Sequence, residues 1–509
     1  MPNTLGLHRL HCLYCLHCLH RVHRVRLLTC WALFAALPLG GCGGGGGTPP
    51  TYSIGGTVSG IDAGQSAILR DNGGDDLTVS ANGAFAFVTR IASGGAYAVT
   101  VTAPEGKTCT VTGGSGTVSA TVTNVAVACV SNFSIGGTVF VGDFFFVANS
   151  GADSISEFSI DATSGALLSV GPPVAVDRGP TAIASTIADT HFDNRYLYVS
   201  NSRSNDVSAF AVDAGSGALT AVPGSPFAAG TSPGAIAVFA TTACSSRGAP
   251  CHTLEDLYVA NSGSDTVSAY QIDQSTGVLT PLASYSTGTG PSAMAVGGYV
   301  GPSAPFTPFL YIANTGGSND ISAFLIDGLS GSLTPVAGSP FPSNGNVSSL
   351  AFGLGDAFQY PPGTSGGTAG IKGLLYAANA SGGTASIMGF SIHPYMGDAN
   401  DGALTALPGF PYDLPSCSYI VADQTGAYLY ATAGTNVFSF SIDKQTGALS
   451  PLPGSPVAVG ATADSVSIDP TNRFLYVTSR SAGKVTGFNL DAATGELTIM
   501  PGSPFAVSQ

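Results

Sequence analysis

Three residues suited to acid–base chemistry lie close together in the segment TTACSSRGAPCHTLED, residues 241–256. Arg247 could polarise a carbonyl group, while His252 and Glu255 could transfer protons, as ester hydrolysis requires. The same segment also suits a solvated surface loop, and we prefer that interpretation. The three residues are therefore weak candidates for a catalytic site.

A second segment, HCLYCLHCLH at residues 11–20, has the cysteine and histidine spacing of a metal site. It is followed by a basic stretch, Arg21 to Arg26, and an apolar run from Leu27 to Leu39. That run has the length of a signal-peptide core and is too short for a transmembrane helix. We therefore expect residues 1–41 to be a signal peptide that the mature protein lacks.

The sequence Leu39-Gly40-Gly41-Cys42 resembles the lipobox of bacterial lipoproteins. The resemblance implies lipidation of Cys42, which would anchor the protein to a membrane through several acyl chains. Residues 42–51 would then form a Gly-rich tether. The alternative is an ordinary secretory cleavage near Gly40. We expect an exported, membrane-anchored protein. The resemblance implies the outer membrane or cell surface, because Gly43 stands where related lipoproteins carry the Asp that signals inner-membrane retention.

The acidic balance and the scarcity of histidine limit the function. Without residues 1–41 the chain has 12 basic and 30 acidic residues, a net charge of −18, and only His191, His252 and His393. No cluster of Lys or Arg offers contacts to phosphates, so we exclude nucleic-acid binding. We expect no metal and no cofactor.

Six cysteines follow the signal peptide. In an exported protein they predict two disulfides besides the lipidated Cys42. These are Cys109 with Cys129 and Cys244 with Cys251. Cys417 is left over, and its apolar surroundings predict a small buried side chain.

Alternating β-branched residues between Gly-rich turns predict a small antiparallel β-sandwich over residues 52–131. It resembles small immunoglobulin-like or carboxypeptidase-regulatory-like modules of bacterial surface proteins, and we interpret it as a spacer. The heptapeptide YSIGGTV at 52–58 returns as FSIGGTV at 133–139.

Seven imperfect repeats fill residues 132–509. Their aromatic anchors are 46 to 65 residues apart: Phe146, Tyr198, Tyr258, Tyr311, Tyr376, Tyr430 and Tyr476. Each repeat reads as four strands, of which the Ala-rich first strand would lie closest to the axis of a propeller. The first blade must take this strand from GGTVFVG near residues 136–142. We predict an all-β protein with a seven-bladed β-propeller; a solenoid would need a shorter period.

The blade sequence LYVANSGSDTVSAYQID, followed by GSPF in several copies, resembles the YVTN-type seven-bladed propellers. That group includes the lactonase family of 6-phosphogluconolactonase-like and carboxymuconate-cyclase-like proteins. The resemblance covers about residues 140–509 and implies the fold. No catalytic residue of the family can be matched to a position in this chain, so none is transferred.

Residues that recur in every blade are more consistent with a role in the fold than in a site. An Asn ends the aromatic strand in five blades, and we predict that it caps the following turn through its own backbone: Asn149, Asn201, Asn261, Asn314 and Asn379. In six blades an Asp ends the third strand, ahead of a turn that contains Thr-Gly or Ser-Gly. It has the same structural interpretation: Asp161, Asp213, Asp273, Asp327, Asp443 and Asp491. Any functional site should therefore lie where the repeats differ.

Two G-x-S-x-G strings, GTSPG at 230–234 and GTSGG at 363–367, lack the strand-to-helix context of a hydrolase nucleophile and are attributed to chance. Long inserts at 241–256, 298–308, 354–373 and 393–402 fall at one end of the ring and carry aromatic residues. We therefore expect a binding or scaffold protein for a carbohydrate or protein ligand. The alternative is a lactonase-like hydrolase or isomerase acting on a small lactone or sugar ester.

Overall fold

The computed structural model describes residues 49–61, 66–104, 107–131, 135–186, 195–244, 251–299, 307–358, 370–380, 385–393 and 400–507. Within these ranges the chain forms β-strands and one 3-10 turn, Arg480–Ala482, with no α-helix. None of the described helical structure is long and apolar enough to span a membrane. The chain divides into Met1–Pro50 and Thr51–Gln509. The signal-peptide and Cys42 predictions lie outside the described residues.

The N-terminal module consists of two four-stranded sheets that share one apolar core, which includes Ile54, Leu69 and Val127. One sheet has the order Gly83–Ala86, Ile54–Ser59, Val122–Ser131 and Lys107–Thr112. The other has the order Asp75–Val79, Ala67–Asp71, Ala96–Thr102 and Ser115–Thr117. The short strands Thr51–Tyr52 and Ile91–Ala92 pair separately.

The prediction of a purely antiparallel sandwich is wrong at one pair of strands. Val122–Ser131 runs parallel to Ile54–Ser59 and antiparallel to Lys107–Thr112. The alternation of side chains is the same in either direction, so the sequence pattern cannot distinguish them. The Cys109–Cys129 disulfide links the antiparallel pair, as predicted.

Seven sheets follow, each built from consecutive strands. Blade 1 contains Ile135–Val141, Phe144–Asn149, Ser154–Ile160 and Leu167–Ser169, and blade 2 contains Pro180–Ser185, Arg195–Asn201, Asp206–Val212 and Leu219–Ala221. Blade 3 contains Pro233–Cys244, Cys251–Asn261, Thr266–Ile272 and Leu279–Ser286, and blade 4 contains Pro291–Tyr299, Thr307–Asn314, Asp320–Ile326 and Leu333–Pro335. Blade 5 contains Val347–Phe358, Gly370–Asn379, Ala385–Ile392 and Leu404–Ala406. Blade 6 contains Tyr419–Ala422, Tyr428–Ala433, Asn436–Ile442 and Leu449–Pro451, and blade 7 contains Ser465–Ile468, Phe474–Ser479, Lys484–Leu490 and Leu497–Ile499.

A short extra strand pairs with the third strand in every blade except blade 3 among the described residues. These strands are Val174–Ala175, Phe227–Ala228, Phe341–Pro342, Tyr412–Leu414, Val457–Ala458 and Phe505–Ala506.

The first strand of each blade contacts the first strand of the next, and blade 7 contacts blade 1 in the same way. A separate hydrophobic cluster fills each interface between successive blades, including the one between blades 7 and 1. The ring is therefore closed, and the seven-bladed propeller predicted from the repeat is confirmed. Blade 1 does take its innermost strand, Ile135–Val141, from the second copy of the IGGTV sequence.

The repeated tyrosines join the blades by hydrogen bonds. Each hydroxyl donates to the carbonyl oxygen of a glycine in the turn between the third and fourth strands of the next blade, at 2.7 to 2.9 Å. The pairs are Tyr198 with Gly277, Tyr258 with Gly331, Tyr311 with Gly402, Tyr376 with Gly447, Tyr430 with Gly495 and Tyr476 with Gly165. Blade 1 has Phe146 at this position, so its interface with blade 2 lacks the bond.

Candidate functional site

The repeated asparagines are buried, and they hold the hairpin between the second and third strands. The Nδ2 atom of Asn201 donates to Asp206 and Ser208, both at 2.8 Å, and three other blades repeat this arrangement. In blade 5, Asn379 instead donates to the backbone carbonyl of Ser343. In three blades the backbone carbonyl of the asparagine also accepts a hydrogen bond from an N–H of the following turn, at 3.0 to 3.3 Å, as the predicted cap requires. The side-chain bonds across the hairpin are an addition that the sequence did not predict.

The repeated aspartates cap turns as the sequence indicates. In blade 2, the carboxylate of Asp213 accepts hydrogen bonds from the backbone N–H groups of Gly215 and Ser216, at 3.1 and 2.8 Å. Equivalent bonds occur in the other five blades. Hydrogen bonds to Ser216 hold the pKa of Asp213 below its usual value. This carboxylate is engaged in the fold.

Of the three residues that the sequence proposed for acid–base chemistry, the structure describes the side chain of Glu255 alone. Glu255 lies on the second strand of blade 3 and is buried, with 7% of its surface exposed. Burial raises the pKa of the Tyr198 phenol in blade 2, and the nearby carboxylate of Glu255 raises it further. The backbone of His252 lies opposite Ala243. The side chain of His252 and all of Arg247 lie outside the described residues, so their proposed role stays a prediction.

Two other expectations concern the same region. Cys244 and Cys251 lie opposite each other in the hairpin of blade 3, and their disulfide stays a prediction because their side chains are outside the described residues. Ser232 of GTSPG lies in a turn before a strand, with φ of 51°, which is not the geometry of a nucleophile elbow. The second string, GTSGG, lies outside the described residues.

A cavity of about 450 Å³ opens where the first strands of the blades begin. All seven blades contribute to its lining, and we call it the mouth cavity. Most of its residues are small, which leaves space around the axis. The strand ends that flank the long inserts lie at the opposite end of the ring, because the inserts join first to second strands or third to fourth strands.

The repeats differ at three positions of the mouth cavity. One position is Gly, Thr or Ser in six blades and Asp464 in blade 7. The next position is Gly, Ala or Ser in six blades and Tyr419 in blade 6. The residue after the Asn position is small in six blades and Arg480 in blade 7. Three side chains that could take part in a reaction or bind a ligand therefore line the mouth cavity among small residues.

Asp464 and Arg480 are held together by the backbone. The N–H of Arg480 donates to Oδ2 of Asp464 at 2.6 Å. Asp464 is half-buried and Arg480 is exposed. Tyr419 is 39% exposed, and desolvation in the channel raises the pKa of its phenol. The arrangement offers a carboxylate, a guanidinium and a neutral aromatic ring to one small ligand.

Our sequence reasoning missed Tyr419 and Asp464 and gave Arg480 no role. The signal was available, since aligning the seven repeats position by position isolates these residues as exceptions. Among the described residues there is no group of three or more His, Cys, Asp or Glu side chains that could hold a metal. Cys417 is buried at 1% exposure, as expected, and burial raises the pKa of its thiol to about 12.

The sequence of this chain matches the family described as "Lactonase, 7-bladed beta-propeller" over residues 138–237 and 375–500. Both segments lie in the propeller, which confirms the resemblance to this family indicated by the repeats. The immunoglobulin-like resemblance of the N-terminal module has no such support.

Curated relatives include a 6-phosphogluconolactonase of Pectobacterium carotovorum, 31% identical over 158 residues, and one of Pectobacterium atrosepticum, 30% identical. The matched region spans 30% of this chain and 42% of either relative. These matches favour the lactonase-like alternative over the binding or scaffold role that we placed first.

Similar solved structures include a putative 6-phosphogluconolactonase from Bacteroides uniformis, with 16% identity and a TM-score of 0.49. Another is the periplasmic gluconolactonase PpgL of Pseudomonas aeruginosa, with 16% identity and a TM-score of 0.47. Each alignment covers 70% of this chain and 93% of the other.

Proposed function

We propose that this propeller, whose sequence matches the lactonase family in two segments, hydrolyses a small lactone in the mouth cavity. The observation that carries the proposal is the convergence of Tyr419, Asp464 and Arg480 where the other blades have small residues. The family match supplies the reaction class, and the side chains supply the groups that it needs.

Each of the three residues has a distinct role in the proposed reaction. The carboxylate of Asp464 takes a proton from the attacking water. The guanidinium of Arg480 stabilises the negative charge that develops on the carbonyl oxygen. The ring C–O bond then breaks, and the proton returns to the leaving oxygen to give the open hydroxy acid. The ring of Tyr419 offers an apolar face on which the lactone ring stacks.

The charge of the mouth cavity favours a substrate without phosphate. Arg480 is the one cationic side chain among its lining residues, and the proposed mechanism uses it at the carbonyl oxygen. A phosphate group would need a further cation nearby. We therefore propose a neutral sugar lactone, which also suits an exported protein.

The repeats themselves supply matched substitutions for the test. Asp464→Ser, Arg480→Ser and Tyr419→Ala each introduce the residue that other blades carry at the same position. Hydrolysis of glucono-δ-lactone and of its 6-phosphate is measured for the whole protein, with and without a chelator. We expect turnover of the neutral lactone, reduced roughly 10²- to 10⁴-fold by Asp464→Ser and 10²- to 10³-fold by Arg480→Ser.

The rival site in blade 3 provides the control. His252→Ala and Glu255→Gln should leave turnover unchanged, and loss of activity in these variants alone would move the reaction to the segment at 241–256. If the protein is inactive on every lactone but binds neutral sugars through Tyr419, the binding role is the correct one. That role has support in the same cavity, because its hydroxyl groups and aromatic ring suit a sugar.

A further inference from the structure

A second cavity, of about 510 Å³, lies at the opposite end of the first strands from the mouth cavity. It is formed around blades 7, 1 and 2, and we call it the rim cavity. Its apolar walls include Phe140, Ile160 and Phe474. The turns between first and second strands are short in blades 1, 6 and 7.

Three charged residues from successive blades line the rim cavity. Arg473 of blade 7, Asp143 of blade 1 and Arg195 of blade 2 occupy the same repeat position, immediately before an aromatic residue at the start of the second strand. The charges therefore alternate around the ring in the order positive, negative, positive. Blade 3 has Glu255 at this position, and blades 4, 5 and 6 have Pro308, Gly373 and Ala427, so a charge here is not a requirement of the fold.

The two arginines are held in place by contacts with other residues of the protein. Arg473 donates from Nη1 to the carbonyl oxygen of Ala162 and from Nε to Oγ1 of Thr471, both at 2.8 Å. Its guanidinium also lies 4.9 Å from the centre of the Phe474 ring. Arg195 packs against Gly142. No ion pair within 4.0 Å joins Asp143 to either arginine in the described structure.

The other carboxylate of the rim cavity is already engaged. Asp469 accepts hydrogen bonds from the backbone N–H groups of Arg473 and Phe474, at 2.7 and 2.6 Å, and from Thr471. This leaves Asp143 as the acceptor for hydroxyl donors of a ligand, and the two guanidinium groups as donors to an anion. Such a set matches a molecule that carries both carboxylate and hydroxyl groups.

We propose that the rim cavity binds a small hydroxy acid, with the carboxylates on Arg195 and Arg473 and a hydroxyl on Asp143. The site is separate from the proposed lactone site, because the two cavities lie at opposite ends of the channel and share no lining residue. Binding at the rim cavity therefore does not depend on the proposed hydrolysis in the mouth cavity.

Calorimetric titration of the whole protein with tartrate, succinate and threitol at low ionic strength tests the chemistry. Tartrate carries both groups, succinate lacks hydroxyls and threitol lacks carboxylates. We expect tartrate to bind most tightly, with roughly 10- to 100-fold weaker binding in Arg195→Ala and weakening by salt. Asp143→Ala should lower the affinity for tartrate relative to that for succinate, because it removes the hydroxyl acceptor while relieving the same charge repulsion for both dianions.

Three controls make the result decisive. Arg90→Ala removes an exposed arginine from the N-terminal module and should bind tartrate like the parent. Arg480→Ser should also bind normally; equal loss there would assign the acid to the mouth cavity and overturn the proposal. For Arg473→Lys, the thermal unfolding temperature is measured together with tartrate binding. This separates a loss of binding from a loss of stability, because Arg473 also joins blades 7 and 1. Absence of saturable tartrate binding, or threitol binding as tight as that of tartrate, refutes the rim site.

Discussion

The hydroxyl of Tyr476 in blade 7 donates a 2.7 Å hydrogen bond to the carbonyl oxygen of Gly165 in blade 1. This bond closes the ring between its two ends. It is reinforced by stacking of Tyr476 on Phe145, whose ring centres are 5.1 Å apart. The side-chain oxygens of Thr138 and Ser467 also lie 2.6 Å apart across the same junction. The first and last blades are thus joined by side chains, with no strand exchanged between them.

Tyr476→Phe should lower the free energy of unfolding by about 1 to 3 kcal/mol, because it leaves a buried carbonyl oxygen without its donor. The measurement is chemical denaturation followed by fluorescence or circular dichroism. Tyr52→Phe is the control, since the Tyr52 hydroxyl has no hydrogen bond within the described residues. An equal loss in both variants would contradict a specific role in ring closure. Blade 1 already tolerates Phe146, so we expect the variant to fold.

Asp256 makes the propeller sensitive to pH. Its position at the interface between blades 3 and 4 is occupied by aromatic or aliphatic residues in the other six blades, and it packs against Gly331. It is 1% exposed, and neither carboxylate oxygen has a hydrogen-bond partner in the described structure. Burial raises the pKa of Asp256 to about 7.

Because this pKa is higher in the folded than in the unfolded state, protonation favours folding. The contribution of Asp256 to stability should be greatest at low pH and should fall as the pH rises from about 4 to about 7. Asp256→Phe, the residue of blades 1, 4 and 7, should remove this dependence and add on the order of 3 kcal/mol at pH 8. Denaturant melts at pH 5 and pH 8 measure both effects. A parent protein equally stable at both values would show that the carboxylate is solvated.

Glu157 is a second buried acid, at the interface of blades 1 and 2. It lies opposite Phe146 on the neighbouring strand, at a position that is Ala, Gly or Ser in the other blades. It is 5% exposed, and its Oε1 has no hydrogen-bond partner in the described structure. Burial raises the pKa of Glu157 to about 7, against a smaller opposing effect of a hydrogen bond from the Leu219 backbone.

Glu157→Ala should therefore stabilise the protein at pH 8 more than at pH 5, for the reason given for Asp256. The double variant with Asp256→Phe should be nearly additive, since the two residues lie in different interfaces. Glu496→Gln changes an exposed acid and should have little effect at either pH. A larger stabilisation at pH 5 than at pH 8 would reverse the expected sign and exclude the buried-charge explanation.

Cys417 should resist alkylation in the native protein. Its thiol is buried, and its pKa of about 12 leaves almost no reactive thiolate at pH 8. Iodoacetamide labelling followed by peptide mass spectrometry should modify Cys417 only after denaturation. The same peptide mass spectra report on Cys244 and Cys251, which should be labelled only after reduction if they form the expected disulfide. Native labelling of Cys417 at the rate of a free peptide would contradict its burial.

The sequence by itself determined the class of fold and the number of blades. The period of the aromatic anchors, the alternation within strands and the Asp-capped turns are local properties, so they can be recognised without tertiary contacts. For the same reason the IGGTV sequence was correctly assigned to the first strand of blade 1. The direction of Val122–Ser131 was not recoverable, because pairing between distant strands leaves no local trace.

Only the tertiary structure decided which departures from the repeat belong together. Tyr419, Asp464 and Arg480 lie on two blades, and they share a cavity because each blade presents the same position to the axis. Arg195, Asp143 and Arg473 meet only because blade 7 closes against blade 1, across more than 300 residues of sequence. The repeat shows which residues are exceptional, and the closed ring determines which of these face one another.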